Sequence, residues 1–390
     1  MYNMNDLYKN YYDNYRQYDD VYGYINYYNM DYNRMNPYYI KDYGDKNFSE
    51  KGFNEVDNLI FSSLAYIDYK DILVHKKISI NSCANEYFEH HTKKEIKGFV
   101  LAARDAVEVL ESIKDTKRYK DLMLYNYTYQ YSSDLQFSCL FIDIDKNLTY
   151  ISFEGTDDLV SGWREDFELA YKFPIASQKA AIKYINSHIS PFSLRKYIIG
   201  GHSKGGNIAL VAAMYANPLI RNKIIKVYSN DGPGILKHEI ESKEYKRILP
   251  KYELIIPDSS VVGLLLRHKN DYVVVKSTNK GIMAHELTSW MVDEDYFKRV
   301  KLSMFSKRVD KSITEWLETY DLETREKFVK DLFSIFERAN ITSLLELKGR
   351  NLKNVLAILK ESTKLSSESK KMISDLIRFI VLYINKDVDD

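Results

Sequence analysis

From Phe53 onward apolar side chains return every three or four positions. Phe53, Val56, Leu59, Ile60, Leu64 and Ile67 share one face of a helix predicted through FNEVDNLIFSSLAYID. A second helix is predicted over KGFVLAARDAVEVLESI. The period then changes. Two β-rich runs, Leu135 to Ile144 and Leu148 to Phe153, are separated by the turn residues Asp145, Lys146 and Asn147 and predict a hairpin that feeds a sheet. Beyond it short apolar strands alternate with helical stretches: KYIIGG, a helix from about Gly206 to Ala216, then IIKVYSN, ELIIP and DYVVVKS. Such alternation predicts the α/β class, a mostly parallel sheet flanked by helices.

From about Lys301 the pattern is helical throughout and rich in Lys and Glu, with amphipathic stretches such as ITEWLETYDLETREKFVKDLFSIFERA and MISDLIRFIVLYI. The last of these is apolar on more than one side. It is expected to dock on the sheet domain, with a partner surface as the alternative. The expected division is a tail over 1–46, a sheet domain over 47–300 and a helical region over 301–390, with no repeat of solenoid period.

Composition alters this picture mainly at the start. Residues 1–46 hold 14 of the 34 tyrosines and many asparagines, but almost none of the Leu, Val and Ile that build a core, so a disordered or self-associating tail is expected. Its net charge of −2 disfavours phosphate contact, although stacking of the tyrosines on bases is the functional alternative. The whole chain of 390 residues carries a formal net charge of +1, which offers no field to recruit a nucleic acid. The opening MYNMNDLYKNYYDNY lacks the basic start and apolar stretch of a secretory signal, so a cytoplasmic address is expected. The longest uncharged run, Gly205 to Ile220, falls short of the ~20 apolar residues that a transmembrane helix needs. Cys83 and Cys139 match neither a zinc ribbon nor a disulfide framework and are expected to be reduced core thiols.

The candidate chemistry centres on one segment. The strand Tyr197-Ile198-Ile199 runs into Gly200-Gly201-His202-Ser203-Lys204-Gly205-Gly206-Asn207 and then into the helical IALVAAMYA. A G-x-S-x-G between an apolar strand and an apolar helix is the pattern of a nucleophile elbow, in which a sharp turn lifts the serine and the helix N-terminus faces a forming oxyanion. A serine hydroxyl needs a base, and the base needs an orienting acid. Of the histidines downstream, His238 and His268 lie in polar stretches that read as surface, whereas His285 follows the last β-rich run and is favoured as the base. For the acid, Asp258 ends the strand ELIIP, Asp231 ends KVYSN, and Asp271 stands at the wrong end of its strand. Asp258 is favoured and Asp231 kept as its rival.

The loop after LTYISF, Glu154-Gly155-Thr156-Asp157-Asp158, offers Thr156 as a second oxyanion donor by amide and hydroxyl, beside the Lys204 amide. In GWREDFELAY, Trp163, Phe167, Ala170 and Tyr171 recur at helical spacing, either facing the core or walling the site as a lid. The cluster Glu86, Glu89, His90 and His91 has adjacent histidines, which cannot easily share a metal face on a helix, and it reads as a solvated helix end. No P-loop or dinucleotide fingerprint is present.

FEGTDDLVSGW, GGHSKGGNIAL, SNDGPG, IPDSSVVG and AHELTSW, in this order, resemble the α/β-hydrolase group of class 3 lipases and, more closely, a bacterial branch of that group, the Mbeg-like proteins. The resemblance covers roughly residues 46–300. It implies an α/β-hydrolase fold and a Ser-His-Asp esterase without metal or organic cofactor, with Ser203 as nucleophile, Thr156 in the oxyanion hole, and Asp258 and His285 completing the triad. A small acyl ester or lipid is the substrate so implied. Two residues depart from the pattern: Glu154 stands where class 3 lipases usually carry Arg, and Lys204 where they carry an apolar residue. The Lys204 side chain is expected either to be solvated or to favour anionic esters. A silent hydrolase fold used as a scaffold, and thioesterase or amidase activity, are the alternatives.

Overall fold

The computed structural model describes residues 35–73, 76–157, 159–269, 272–341, 357–358 and 360–384. Eight strands form one sheet in sequence order: β1 (Ile78–Ser79), β2 (Met123–Ser132), β3 (Leu135–Asp143), β4 (Leu148–Phe153), β5 (Lys196–His202), β6 (Ile224–Asn230), β7 (Tyr252–Pro257) and β8 (Val273–Val275). The pairings from β1 to β4 are antiparallel and those from β4 to β8 parallel. With helices packed on its faces, this is an α/β-hydrolase fold.

Strand alternation divides the core in two. On β3, Leu140 and Ile142 pack on one face while Phe137, Cys139 and Phe141 pack on the other. Ile198 and Ile255 join the first cluster, and Ile199, Leu254 and Ile256 the second. The first face is covered by α2 (Glu55–Leu64) and α3 (Leu101–Ile113), the second by α5 (Ala176–His188) and α6 (Lys204–Tyr215). Both cysteines are buried free thiols, Cys83 in the first cluster and Cys139 in the second.

Residues 1–34 of the expected tail lie outside the described residues, and the segment that follows them is not tail-like. Helix α1 (Met35–Tyr43) lays Tyr39 into the first cluster. The Tyr39 hydroxyl accepts from Asn54 Nδ2 at 2.6 Å and donates to Asp57 at 3.2 Å. Asn54 and Asp57 also form the capping box that starts α2. Buried Asp57 then takes two hydrogen bonds from Arg118, at 2.8 and 2.5 Å, and one from Tyr119 at 2.6 Å. A segment of low Leu, Val and Ile content is therefore ordered through polar partners, one tyrosine at a time.

The helical region folds back on the sheet domain in cis. α7 (Met304–Thr319), α8 (Leu322–Ala339) and α9 (Ser367–Ile384) share a third core, with Trp316, Phe328, Val329, Phe333 and Met372 buried together. Trp316 Nε1 donates to the Met372 carbonyl at 3.2 Å, which ties the start of α9 to α7. This core continues into α4 (Val160–Glu168), where Phe167 meets Phe333 edge-on at 5.5 Å and Arg164 pairs with Glu337. Among the described residues no helix is long and apolar enough to cross a membrane.

Candidate active site

Register brings three strand ends to one edge of the sheet. Phe153 of β4 lies beside Gly201 of β5, and His202 of β5 beside Asn230 of β6. The loops leaving them carry Gly155-Thr156, Ser203 and Asp231, so the candidate groups meet where ligands bind in parallel α/β sheets.

Ser203 turns the chain from β5 into α6 with φ +56° and ψ −133°, a left-handed conformation that costs a non-glycine residue on the order of 1–3 kcal/mol. The turn is tight enough to require glycine on both sides. A Cβ on Gly201 would stand 2.4 Å from the carbonyl carbon of Gly205, and one on Gly205 2.2 Å from the Phe153 carbonyl oxygen. The Ser203 amide donates to the Asn230 carbonyl at 2.9 Å, which pins the elbow to the residue before Asp231. The first turn of α6, including the Lys204 amide, starts directly after it.

His285 lies on a loop beyond β8 and reaches back over β6. Its Nδ1 is 2.6 Å from Asp231 Oδ2, with Asp231 buried and the imidazole partly exposed. Asp231 itself has φ +48°, which turns its side chain inward, and its Oδ1 accepts from Ser260 Oγ at 2.5 Å and the Gly263 amide at 3.0 Å. Both oxygens are therefore held, and the imidazole is oriented from a fixed point.

Asp258, the acid favoured on strand position, is engaged elsewhere. Its Oδ2 accepts from Lys276 Nζ at 2.7 Å and its Oδ1 from the Ser277 amide at 3.3 Å. Lys276 follows β8 directly and supplies the charge that holds Asp258 at the β7–β8 edge, while the His285 loop lands one strand further in. Asp258 also receives the Ser303 amide on its carbonyl at 2.8 Å, so it anchors the entry to α7. The structure thus places the rival, Asp231, on His285. Asp271 lies outside the described residues. The other histidines separate as well: His238 is exposed, but both ring nitrogens of His268 are buried without a hydrogen bond, and burial pushes that imidazole down to about 4.

His202 and Tyr66 carry no motif signal of their own beyond the position before the serine. His202 Nε2 lies 2.9 Å from the His285 carbonyl oxygen and the two rings stand 4.2 Å apart. The Tyr66 hydroxyl holds His202 Nδ1 at 2.9 Å. Burial, with His285 alongside, keeps His202 well below the ordinary imidazole range, so it stays neutral and clamps the backbone of His285.

The loop that carries Gly155 and Thr156 is fixed from the other side. The Thr156 hydroxyl donates to Asp166 at 2.5 Å. The Gly155 carbonyl accepts from Gln136 Nε2 at 3.0 Å. Lys204 corrects both expectations for its side chain: it is fully buried, donating to Gln136 Oε1 at 2.6 Å and to Glu165 at 3.2 Å. Its charge is spent inside the protein, so it is neither solvated nor available to an anionic ester. Of the two proposed lid residues, Phe167 packs into the third core and Trp163 is 40 % exposed. In the Glu86 to His91 segment Tyr87 is buried in the first core, Glu86 pairs with Lys76 at 3.5 Å and His91 stacks on Tyr87 at 4.2 Å, and among the described residues no group of three or more His, Cys, Asp or Glu is set to hold a metal.

Two carboxyl groups beside this loop are raised. Burial and then Asp157 push Glu154 up to about 8, and burial pushes Asp166 up to about 6 against the pull of Lys204 and Thr156. A carboxyl raised on folding contributes nothing adverse below its unfolded value near 4.5, and stability is lost as pH climbs from there through the folded value. Glu154→Gln keeps an acceptor for the Tyr131 hydroxyl, which bonds Glu154 at 2.6 Å. Urea unfolding at pH 5 to 9 is expected to show a smaller loss of stability in this variant than in the wild type, by a few kcal/mol at the alkaline end. Parallel profiles would contradict a buried, raised Glu154.

Among solved structures, one called M37 lipase is similar, at 16 % identity over 54 % of this chain and 69 % of that one, with a TM-score of 0.34. No curated protein matches the chain. The Mbeg1-like family model covers residues 113–334, from the end of α3 through the elbow, Asp231 and His285 into α8. More than half of the chain lies within that match, so this α/β-hydrolase-fold protein belongs to the Mbeg1-like family.

Proposed function

We propose that this protein is a serine hydrolase that cleaves carboxylic esters through an acyl-enzyme, with Ser203 as nucleophile, His285 as base and Asp231 as the orienting acid. The observation that carries the reading is the 2.6 Å contact between His285 Nδ1 and Asp231, made beside a serine held at φ +56°. With Nδ1–H given to Asp231, the lone pair of Nε2 is the one left to take a proton. Ser203 Oγ attacks the carbonyl carbon as its proton passes to His285 Nε2, and the amides of Thr156 and Lys204 receive the oxyanion. Collapse breaks the bond to the leaving alcohol, which takes the proton from His285. Water then repeats the sequence on the acyl-enzyme and releases the acid.

A fluorophosphonate probe tests this cheaply. It is expected to label the wild type at one site, to label Ser203→Ala not at all, and to label His285→Ala at a small fraction of the wild-type rate. A folded wild type that takes no label would leave a hydrolase fold used as a scaffold. Labelling that persists in Ser203→Ala would assign the nucleophile elsewhere.

A further inference from the structure

Beside the elbow lies a cavity of about 180 Å³ that the proposed triad does not use. Its aromatic wall is Tyr66, Phe99, Tyr127, Tyr129 and Tyr131. Its carboxyl groups are Asp68, Glu154 and Asp157, and no Lys or Arg stands among its lining residues.

The wall has a local origin in β2. A register shift between Tyr125 and Thr128, with Asn126 at φ +49°, inserts an irregularity into the strand. Before it, Tyr125 packs on Phe141 in the second core; after it, Tyr127 packs edge-on to Tyr69 in the first. The alternate positions 127, 129 and 131 are thereby delivered to the face that carries Tyr66. Tyr129 and Tyr131 stack with ring centroids 3.7 Å apart.

The cavity touches the candidate site at two points. The Tyr66 hydroxyl bonds His202, the residue before Ser203, and Glu154 precedes Gly155-Thr156 of the oxyanion loop. One edge of the wall already carries an ammonium group: Lys70 Nζ sits 4.0 Å over the Tyr129 ring and pairs with Asp68 at 2.8 Å. Aromatic faces attract cations through the ring quadrupole, and they do so more strongly where water is scarce.

Resting on the serine-hydrolase reading, we infer that this cavity receives an ammonium group of the substrate, and that the esters cleaved here carry a choline-like cationic head next to the scissile bond. Anionic esters would meet Asp157 and, once it ionises, Glu154 instead. The neutral alternative, an apolar alcohol in the same aromatic wall, differs from the cationic one only in charge, so an isosteric pair of ligands separates them.

Choline chloride and 3,3-dimethylbutan-1-ol have nearly the same shape, and calorimetry on the full chain is expected to show choline bound about tenfold or more tightly. Glu154 is faced by Asp157 of its own loop, Tyr131 of β2, Lys204 of α6 and Asp68 of the segment after α2. A bound cation favours its ionised form, so choline affinity is expected to rise between pH 6 and pH 9 in the wild type and to stay flat in Glu154→Gln. Tyr129→Leu is expected to weaken choline and leave the alcohol nearly unchanged. Choline, but not the alcohol at the same concentration, is also expected to slow fluorophosphonate labelling of Ser203. Equal binding of the two ligands, no binding of choline, or choline binding that leaves labelling unaffected would overturn the inference. Choline binding with no labelling at all would instead overturn the serine reading and leave only a cation site.

Discussion

Asp231→Asn is expected to lower kcat on a simple ester such as p-nitrophenyl butyrate by about 10³ to 10⁴, the size of effect seen when the orienting acid of a Ser-His-Asp set becomes an amide. Asp258→Asn is expected to stay within a few-fold of the wild type. The difference follows from where each carboxylate is spent. Asp231 is fully buried, accepts Ser260 and Gly263 on Oδ1, and offers only Oδ2 to His285. An asparagine keeps Oδ1 as the acceptor and turns its NH₂ toward the imidazole. Nδ1 must then accept, the ring proton moves to Nε2, and the atom that should take the serine proton carries one already. Asp258 lies one strand away, paired with Lys276, whose side chain is 40 % exposed. Such a half-exposed pair contributes about 1 kcal/mol or less. Steady-state kinetics on the two variants, with circular dichroism to confirm folding, decide the matter. If Asp258→Asn were the more damaging, the acid would have to be reassigned.

That pair of aspartates also marks how far a sequence can be read. The hairpin β3–β4 and the strand, turn and helix around Ser203 are continuous in the chain, so their patterns are visible without any tertiary knowledge. Asp231 and Asp258 both end apolar strands, and nothing within a few residues of either separates them. What separates them is a loop more than twenty residues further on, together with Lys276 arriving from β8. Helix α1 is hidden for a related reason: its place in the core depends on Tyr39 meeting Asn54 and Asp57, not on an apolar run. Strand β2 does carry a period-2 signal, tyrosine alternating with polar residues from Tyr125 to Ser132, but the irregularity between Tyr125 and Thr128 that moves the later tyrosines to the other face is invisible in that alternation. His268 looks like a surface residue in LLRHKND because its burial comes from the fold and not from its neighbours in the chain.

Lys204 is the sharpest case, and its replacement is expected to cost stability before it changes specificity. A lysine directly after a candidate nucleophile reads as a charge offered to the substrate. Its partners, Gln136 and Glu165, are 68 and 39 residues away in the chain, and they draw the ammonium group inward, away from the elbow. Glu165 also accepts the amides of Gln136 and Ser177, at 3.2 and 2.8 Å, so β3, α4, α5 and the first turn of α6 meet at this one ion pair. Lys204→Met retains the length of the side chain and the backbone amide, but leaves Glu165 as a buried carboxylate without its cation. Breaking a buried pair from one side costs about 3–5 kcal/mol. A urea midpoint for Lys204→Met is expected to fall accordingly. The double variant Lys204→Met with Glu165→Gln is expected to regain most of the loss, because the remaining glutamine is neutral and still hydrogen-bonded. If the single variant were as stable as the wild type, Lys204 would have to be solvent-facing after all, and its charge would return as a determinant of which esters the site accepts.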